Sequence, residues 1–259
     1  MYKRQGLDAV RLGPLEIWVG GSITATAPPR TAYLALPDPN RYAASALRQA
    51  LADAGISVTG ATGSTTDSAR YAEARRSAPL AETNSRPFRE WLVPILGPSQ
   101  NLFADLLLKQ VGRQVSGEGS WRAGLEVERR FLIDSMGIDS TQFSLRDGSG
   151  LSHTNTMTPW AFARLLLWMR RHPGFAPFQS ALPVAGRSGT IRTRMVRTPV
   201  EGRVIAKTGS ISRVNALSGY VHLPDGRTRI FSIQTNNHDL SGTAMLARID
   251  SLVVEIGKR

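Results

Sequence analysis

At 259 residues and 41% hydrophobic content the chain can bury a core, which excludes disorder and allows one large domain or one domain plus a fragment. The absence of cysteine excludes disulfides, thiol catalysis and Cys-ligated zinc, without assigning a compartment. The net charge of +12 favours anionic partners and is nearly all arginine, since Lys3, Lys109, Lys207 and Lys258 are the only lysines. The arginines are scattered as pairs such as Arg75-Arg76, Arg129-Arg130 and Arg170-Arg171, with no basic block interleaved with aromatics, so nucleic acid is not an expected partner.

The opening Met1-Tyr2-Lys3-Arg4-Gln5 matches a common sequencing-library adapter translated from an internal GTG. Residues 1–5 are therefore expected to be an artefact, and the chain a gene fragment whose beginning is missing. No basic stretch followed by an apolar core opens the chain, so no signal peptide is expected, and no apolar run approaches the roughly 20 residues that span a bilayer. Residues 6–36 read as short extended pieces, Glu16 to Val19 and Tyr33 to Leu36, separated by Gly20-Gly21 and Pro28-Pro29. A helix follows: Asp38 can cap it, Pro39 suits its first position, and Tyr42, Ala46, Leu47, Ala50, Leu51 and Ala54 form an i, i+4 stripe ending at Gly55. Ile56 to Gly60 reads as a short strand, and residues 61–86, polar and without periodicity, as a surface loop.

From Pro87 the spacing predicts helices over Phe88 to Leu96, Ser99 to Val111 stopping at Gly112, Ser120 to Met136 stopping at Gly137, and Thr158-Pro159 to His172 before Pro173-Gly174. The tail changes to strands over Val204 to Ala206, Leu217 to Leu223 and Thr228 to Thr235, the last two joined around Pro224-Asp225-Gly226. A final helix is expected over about Gly242 to Ile256. Helices followed by antiparallel strands describe an α+β fold with helices covering a sheet.

Two short motifs carry polar chemistry: Ser99-Gln100-Asn101 at the head of an apolar helix, and Lys207-Thr208-Gly209-Ser210 directly after a strand. Alone, Ser99 reads equally well as a helix N-cap and the second motif as a polar turn. In this order, about a hundred residues apart, they match two of three elements used by penicillin-recognising serine acyl-transfer enzymes: Ser-x-x-Lys, then Ser-x-Asn, then Lys-Thr-Gly. A serine hydroxyl attacks only if a nearby base takes its proton, and a second cation, for which Lys207 is a candidate, can depress the pKa of a lysine base. Gly209 lets a substrate backbone approach a strand edge, and the flanking hydroxyls can grip a terminal carboxylate.

Further stretches widen the match. Asp147-Gly148-Ser149-Gly150-Leu151-Ser152 with Asn155 and Thr158-Pro159, Leu182-Pro183-Val184-Ala185-Gly186-Arg187-Ser188-Gly189-Thr190, Ser99-Gln100-Asn101-Leu102-Phe103-Ala104 and Gly119-Ser120-Trp121-Arg122-Ala123-Gly124 occur together. In these the chain resembles, from about Pro37 to Ile256, the D-alanyl-D-alanine carboxypeptidase/endopeptidase family of low-molecular-mass penicillin-binding proteins. The resemblance implies a penicillin-binding/β-lactamase-like transpeptidase fold, incomplete at the N-terminus. Residues 6–36 would be the remnant of an inserted domain and residues 37–259 the C-terminal part of the peptidase domain. It also implies peptidoglycan stem peptides as substrate, β-lactams as covalent inhibitors of the intact enzyme, a periplasmic location, no cofactor and no metal. Ser99 would relay a proton toward the leaving D-alanine nitrogen, Asn101 would orient the substrate amide and the general-base lysine, and Lys207 would act electrostatically. Thr208, Gly209 and Ser210 would bind substrate, the strand giving hydroxyls for the carboxylate and one N–H of an oxyanion hole.

The departures bear on activity. The residues three before Lys109, Lys207 and Lys258 are Leu106, Val204 and Glu255, so these 259 residues contain no Ser-x-x-Lys, and the chain alone is expected to be inactive. Gln100 stands where aspartate is commoner in the family, and His153 where arginine is frequent. His172 and His238 read as exposed and His222 as a strand residue, with no metal cluster. Without the helix bearing the serine, exposed apolar surface and poor solubility are expected. The competing readings are a non-catalytic wall-binding homologue and a β-lactamase or esterase of similar fold, the latter disfavoured by the family-specific stretches.

Overall fold

Val204 to Thr235 folds, in the computed structural model, as a three-stranded antiparallel meander, and the other elements of its own compact unit take their places around it. The structure describes residues 6–13, 16–29, 31–32 and 34–258. The expected artefact at residues 1–5 lies outside these, as does Tyr33. Two compact units form, the first ending at Thr83 and the second beginning at Asn84.

The first unit holds a hairpin of β1 (Gly6–Arg11) and β2 (Ile17–Ser22) and two helices, α1 (Pro39–Asp53) and α2 (Ser68–Ala74). Asp38 caps α1, its carboxylate accepting from the Arg41 N–H at 2.9 Å and from the Ser64 hydroxyl at 2.7 Å. The strand expected at Ile56 to Gly60 does not form. Arg48 of α1 donates instead to the carbonyls of Val58 and Gly60, so these groups are satisfied without a partner strand. Nor is 61–86 loop throughout, because Asp67 caps α2 by accepting from Ala69 N–H.

In the second unit the sheet order is β5 (Val204–Ile211), β6 (Val214–His222), β7 (Thr228–Thr235). Helix α8 (Gly242–Lys258) covers one face, burying Met245, Ile249 and Val253, at i, i+4 and i+8, against Val204, Ala206, Leu217, Val221 and Phe231. Each such side chain contributes roughly 1.5–3 kcal/mol of transfer free energy. Arg229 of β7 donates to the Ile256 carbonyl at 2.8 Å, satisfying a group in the last turn of α8. The other face packs Tyr220 and Ile205 against α6 (Pro159–Arg171) and α7 (Phe175–Ala181), and the buried Tyr220 hydroxyl donates to the Leu166 carbonyl at 2.8 Å. A sheet covered by helices is the expected α+β architecture; α7, less than two turns long, has too few residues to display a period.

Three more helices complete this unit: α3 (Phe88–Leu96), α4 (Asn101–Ser116) and α5 (Trp121–Arg130), the last continuing as a π turn to Ser135. The stop expected at Gly112 is wrong, and the reason is close packing. A Cβ on Gly112 would lie 2.6 Å from the Gly124 nitrogen, and one on Gly124 2.3 Å from the Leu108 carbonyl oxygen. The two glycines let α4 and α5 touch backbone to backbone, and α4 ends one turn later at Gly117, φ +78°. A two-stranded ladder of β3 (Phe143–Ser144) and β4 (Thr156–Met157) frames the Asp147 loop.

Candidate active site

Ser99 and Lys207, 108 residues apart, meet directly: the lysine Nζ donates to the Ser99 Oγ at 2.7 Å. The turn between α3 and α4 makes this possible. Trp91 of α3 and Phe103 of α4 pack edge to face at 5.5 Å, and the Gln100 N–H returns to the Pro94 carbonyl at 3.0 Å. Between them Ser99 is held at φ +65°, a region costly for any residue with a Cβ. It is therefore not the N-cap of α4. That position falls to Gln100, whose side chain makes no capping bond, while Ser99 turns its hydroxyl to β5. Asn101 opens α4, half-buried, and its amide makes no hydrogen bond among the described residues.

Lys207 is half-buried on β5, its Nζ also donating to the Thr208 carbonyl at 2.7 Å, and no carboxylate pairs with it among the described residues. Burial disfavours the ammonium and holds its pKa below the ordinary lysine value.

β5 is an edge strand, and the register says which of its backbone groups face outward. The Ala206 N–H donates to Pro183 and the Ala185 N–H to the Val204 carbonyl, so even-numbered residues of β5 turn their backbone polar groups away from β6. By the two-residue period, Thr208 and Ser210 do the same on the stretch beyond. The segment Leu182 to Thr190 thus begins along the first half of the β5 edge, through Pro183 to Ala185. Its end, a 3-10 turn over Gly189–Ile191, brings the Thr190 hydroxyl to accept from Thr208 Oγ1 at 2.8 Å. The side chains of Thr208 and Ser210 share one face, Lys207 and Gly209 the other. Gly209 is exposed, and a Cβ there would only touch the Ala216 Cβ at 3.5 Å.

The Asp147 loop is more than a turn. The Asp147 carboxylate accepts from the N–H groups of Gly150 (2.6 Å) and Ser152 (2.7 Å) and from the Asn155 amide (3.0 Å). The Gly148 N–H donates to Asp105 of α4 at 2.9 Å, docking the loop on the helix that Asn101 begins. Beneath it Glu128 of α5 is half-buried with its carboxyl enclosed; that enclosure, and next the Asp147 charge, push its pKa up to about 7, and its Oε2 has no partner among the described residues. His153 stays exposed. His172 is exposed as expected and stacks on Trp168, and His222 lies in β6 with its pKa lowered by burial and then by Arg170. His238 departs from expectation: it is half-buried, with Nε2 2.9 Å from the Asn215 Oδ1. Asn215, paired with Ser210 across β5 and β6, donates its Nδ2 to the Ser210 Oγ at 3.0 Å. Sequence reading passed over Asn215, although an asparagine in register with Leu217 and Val221 on the inward face of a strand is a buried polar group that needs partners. Among the described residues no group of three or more His, Cys, Asp or Glu side chains is placed to hold a metal ion.

Residues 3–256 match the model of the D-Ala-D-Ala carboxypeptidase 3 (S13) family. The chain is 37% identical over 252 residues to the D-alanyl-D-alanine carboxypeptidase of Actinomadura sp. (strain R39), covering 95% of this chain and 46% of that protein. It is 32% identical over 193 residues to the carboxypeptidase DacB of Mycolicibacterium smegmatis, covering 71% of this chain and 41% of that one. It thus spans less than half the length of these relatives. Among solved structures, penicillin binding protein 4 (dacB) of Haemophilus influenzae, complexed with a novel β-lactam, superposes with a TM-score of 0.77 at 25% identity, covering 98% of this chain and 60% of that one. The fold is the penicillin-binding/β-lactamase-like one, and the chain belongs to the D-Ala-D-Ala carboxypeptidase 3 (S13) family.

Proposed function

We propose that this chain carries the substrate-gripping half of a serine-type D-Ala-D-Ala carboxypeptidase/endopeptidase site for peptidoglycan stem peptides, the nucleophilic serine and its lysine lying in sequence outside these 259 residues. The observation that carries this reading is the 2.7 Å contact from Lys207 to Ser99 beside an open β5 edge. A peptide carboxylate 4 Å from the unpaired Lys207 ammonium would gain about 4 kcal/mol of attraction at an effective dielectric constant of 20. Thr208 and Ser210 supply hydroxyls for the same carboxylate, and the outward N–H of Ser210 suits the oxyanion of the penultimate carbonyl. In the assembled site the serine oxygen bonds to that carbonyl carbon and the C–N bond to the terminal D-alanine breaks. Ser99 passes a proton to the departing nitrogen, Asn101 orients the substrate amide and the general-base lysine, and water then releases the acyl group. Residues 6–36 are read as a remnant of an inserted domain, and the location as periplasmic, both on family resemblance.

The absence of Ser-x-x-Lys also favours a second reading, a peptidoglycan-binding homologue that forms no acyl-serine in any context. Labelling with a fluorescent penicillin tests both. The 259-residue chain is expected to give no covalent band, and the product of the upstream-extended reading frame to give one. A band on the short chain overturns the assignment of the nucleophile; no band on the extended product, with Ser-x-x-Lys absent upstream, replaces the enzyme with the binder.

A further inference from the structure

Along the exposed side of α6, arginines recur at positions 164 and 171 with Leu167 between them, and no acidic residue occurs anywhere on the helix. That spacing keeps the three on one face. They line a cavity of about 370 Å³ together with Trp168, His172 and Met136, the residue that follows the π turn of α5. No carboxylate reaches it among the described residues.

Neither guanidinium is neutralised. The ion pairs of the described residues all use other side chains. Arg164 is anchored without being paired: its Nη2 donates to the Met136 carbonyl at 2.9 Å, and its Cζ lies 5.0 Å from the centroid of the Trp160 ring. The Arg171 side chain makes no hydrogen bond among the described residues. His172 is fixed as a donor. Its Nδ1 accepts from the Gly174 N–H at 3.0 Å, and a backbone N–H can only donate, so the ring carries its proton on Nε2. The ring stacks on Trp168 at 4.7 Å, and Trp168 meets Phe131 edge to face at 5.1 Å, which holds this wall in place.

Basic residues in the last turn of a helix complement its dipole, and that alone accounts for Arg170 and Arg171. It does not account for Arg164, two turns earlier, or for the grouping around a cavity. The helix end carries roughly half a negative charge, against two full positive ones, so an anion is attracted on balance. The donors also select among anions. A carboxylate brings two oxygens and one charge, whereas a phosphate monoester brings three terminal oxygens and up to two charges to two guanidinium forks and an imidazole N–H. Leu167, Trp168 and Met136 offer its ester substituent an apolar wall. We propose that Arg164, Arg171 and His172 form a binding site for a phosphate monoester, either a soluble one or the headgroup of a lipid surface. No residue of β5 or of the Ser99 turn takes part, so this inference does not rest on the function assigned to that edge.

The test titrates the 15N-labelled 259-residue chain with sn-glycerol 3-phosphate at about pH 8, where the phosphate is a dianion, and follows the Trp168 indole N–H. Saturable shifts are expected there, with affinity about tenfold lower in R164Q and in R171Q. Arg164 also holds the Met136 carbonyl, so R171Q, which gives up no such bond, keeps the test open should R164Q unfold. R170Q is the control. It removes the same charge from the same turn, but Arg170 lies over the Phe175 ring, outside the cavity, and affinity should change by less than about twofold. Equal losses in R170Q and R171Q would mean diffuse attraction to a basic surface and overturn the site, as would shifts confined to residues around Lys207. N-acetyl-D-alanine, a carboxylate, should bind at Trp168 roughly tenfold more weakly, and equal binding overturns the choice of phosphate. Phosphatidylcholine vesicles with and without phosphatidic acid separate the two sources. Sedimentation with the acidic vesicles that is lost in R171Q assigns the lipid form, binding of glycerol phosphate alone assigns the soluble one, and binding to neither overturns the site.

Discussion

Glu128 offers a test that needs no substrate. Its carboxyl is buried under the Asp147 loop with one oxygen unpartnered, and burial together with Asp147 raises its pKa from 4.5 to about 7. In the unfolded chain the group ionises near its ordinary value, so between the two pKa values the folded state holds more protons than the unfolded one. Stability must therefore be greatest below about pH 4.5, as far as this residue is concerned, and fall as pH rises through about 7. At 1.36 kcal/mol per pKa unit the loss amounts to about 3 kcal/mol, or about 6–12 °C in the unfolding midpoint for a unit of 150–250 residues. Glu128→Gln removes the ionisation while keeping the shape. Thermal unfolding of both proteins, followed by circular dichroism from pH 4.5 to 8, should show the variant more stable above pH 7 and its midpoint nearly level where the native one declines. Parallel curves for the two proteins would refute the argument, because the slope would then come from other groups.

Two further outcomes follow from the packing of the second unit. Gly124→Ala drives a methyl into the Leu108 carbonyl of α4, where only 2.3 Å is available, and should cost about 1–3 kcal/mol in a denaturant melt. Asp250→Ala strands the guanidinium of Arg194, which donates to both Asp250 oxygens at 2.6 to 3.2 Å while the pair is mostly buried, and should cost about 3 kcal/mol, with Arg194→Met, Asp250→Leu together recovering much of it.

The parts of this protein that could be read from its sequence are those in which local chemistry and long-range packing agree. β6 and β7 are apolar runs because both faces of the sheet are covered, α8 has a clear period because one face of it meets the core, and Pro224-Asp225-Gly226 marks the β6–β7 hairpin. Lys207 to Ser210 was legible because a strand fixes which side chains share a face. Ser99 was legible only as a residue type: nothing local announces φ +65°, which the packing of α3 on α4 imposes. Gly112 misled for the converse reason, since a glycine that serves helix contact is written with the same letter as one that ends a helix. Ile56 to Gly60 has strand-like residues but no strand beside it, and Arg48 took up the carbonyls. The tie between Asn215 and His238 joins a strand residue to one 23 positions on, in the irregular segment after β7, where no period exists to be read.

The way Pro183 to Ala185 cover the early part of β5 sets a ruler on whatever docks there. An extended chain pairing with this edge finds outward groups only at Thr208 and Ser210 before it meets Pro183, whose ring has no N–H to offer and whose carbonyl is already taken by Ala206. A strand that ran on past that point would have to leave the sheet, whereas one that stops there can remain flat. The aperture thus measures how much polypeptide lies beyond the paired residues, by geometry alone and without reading a single side chain.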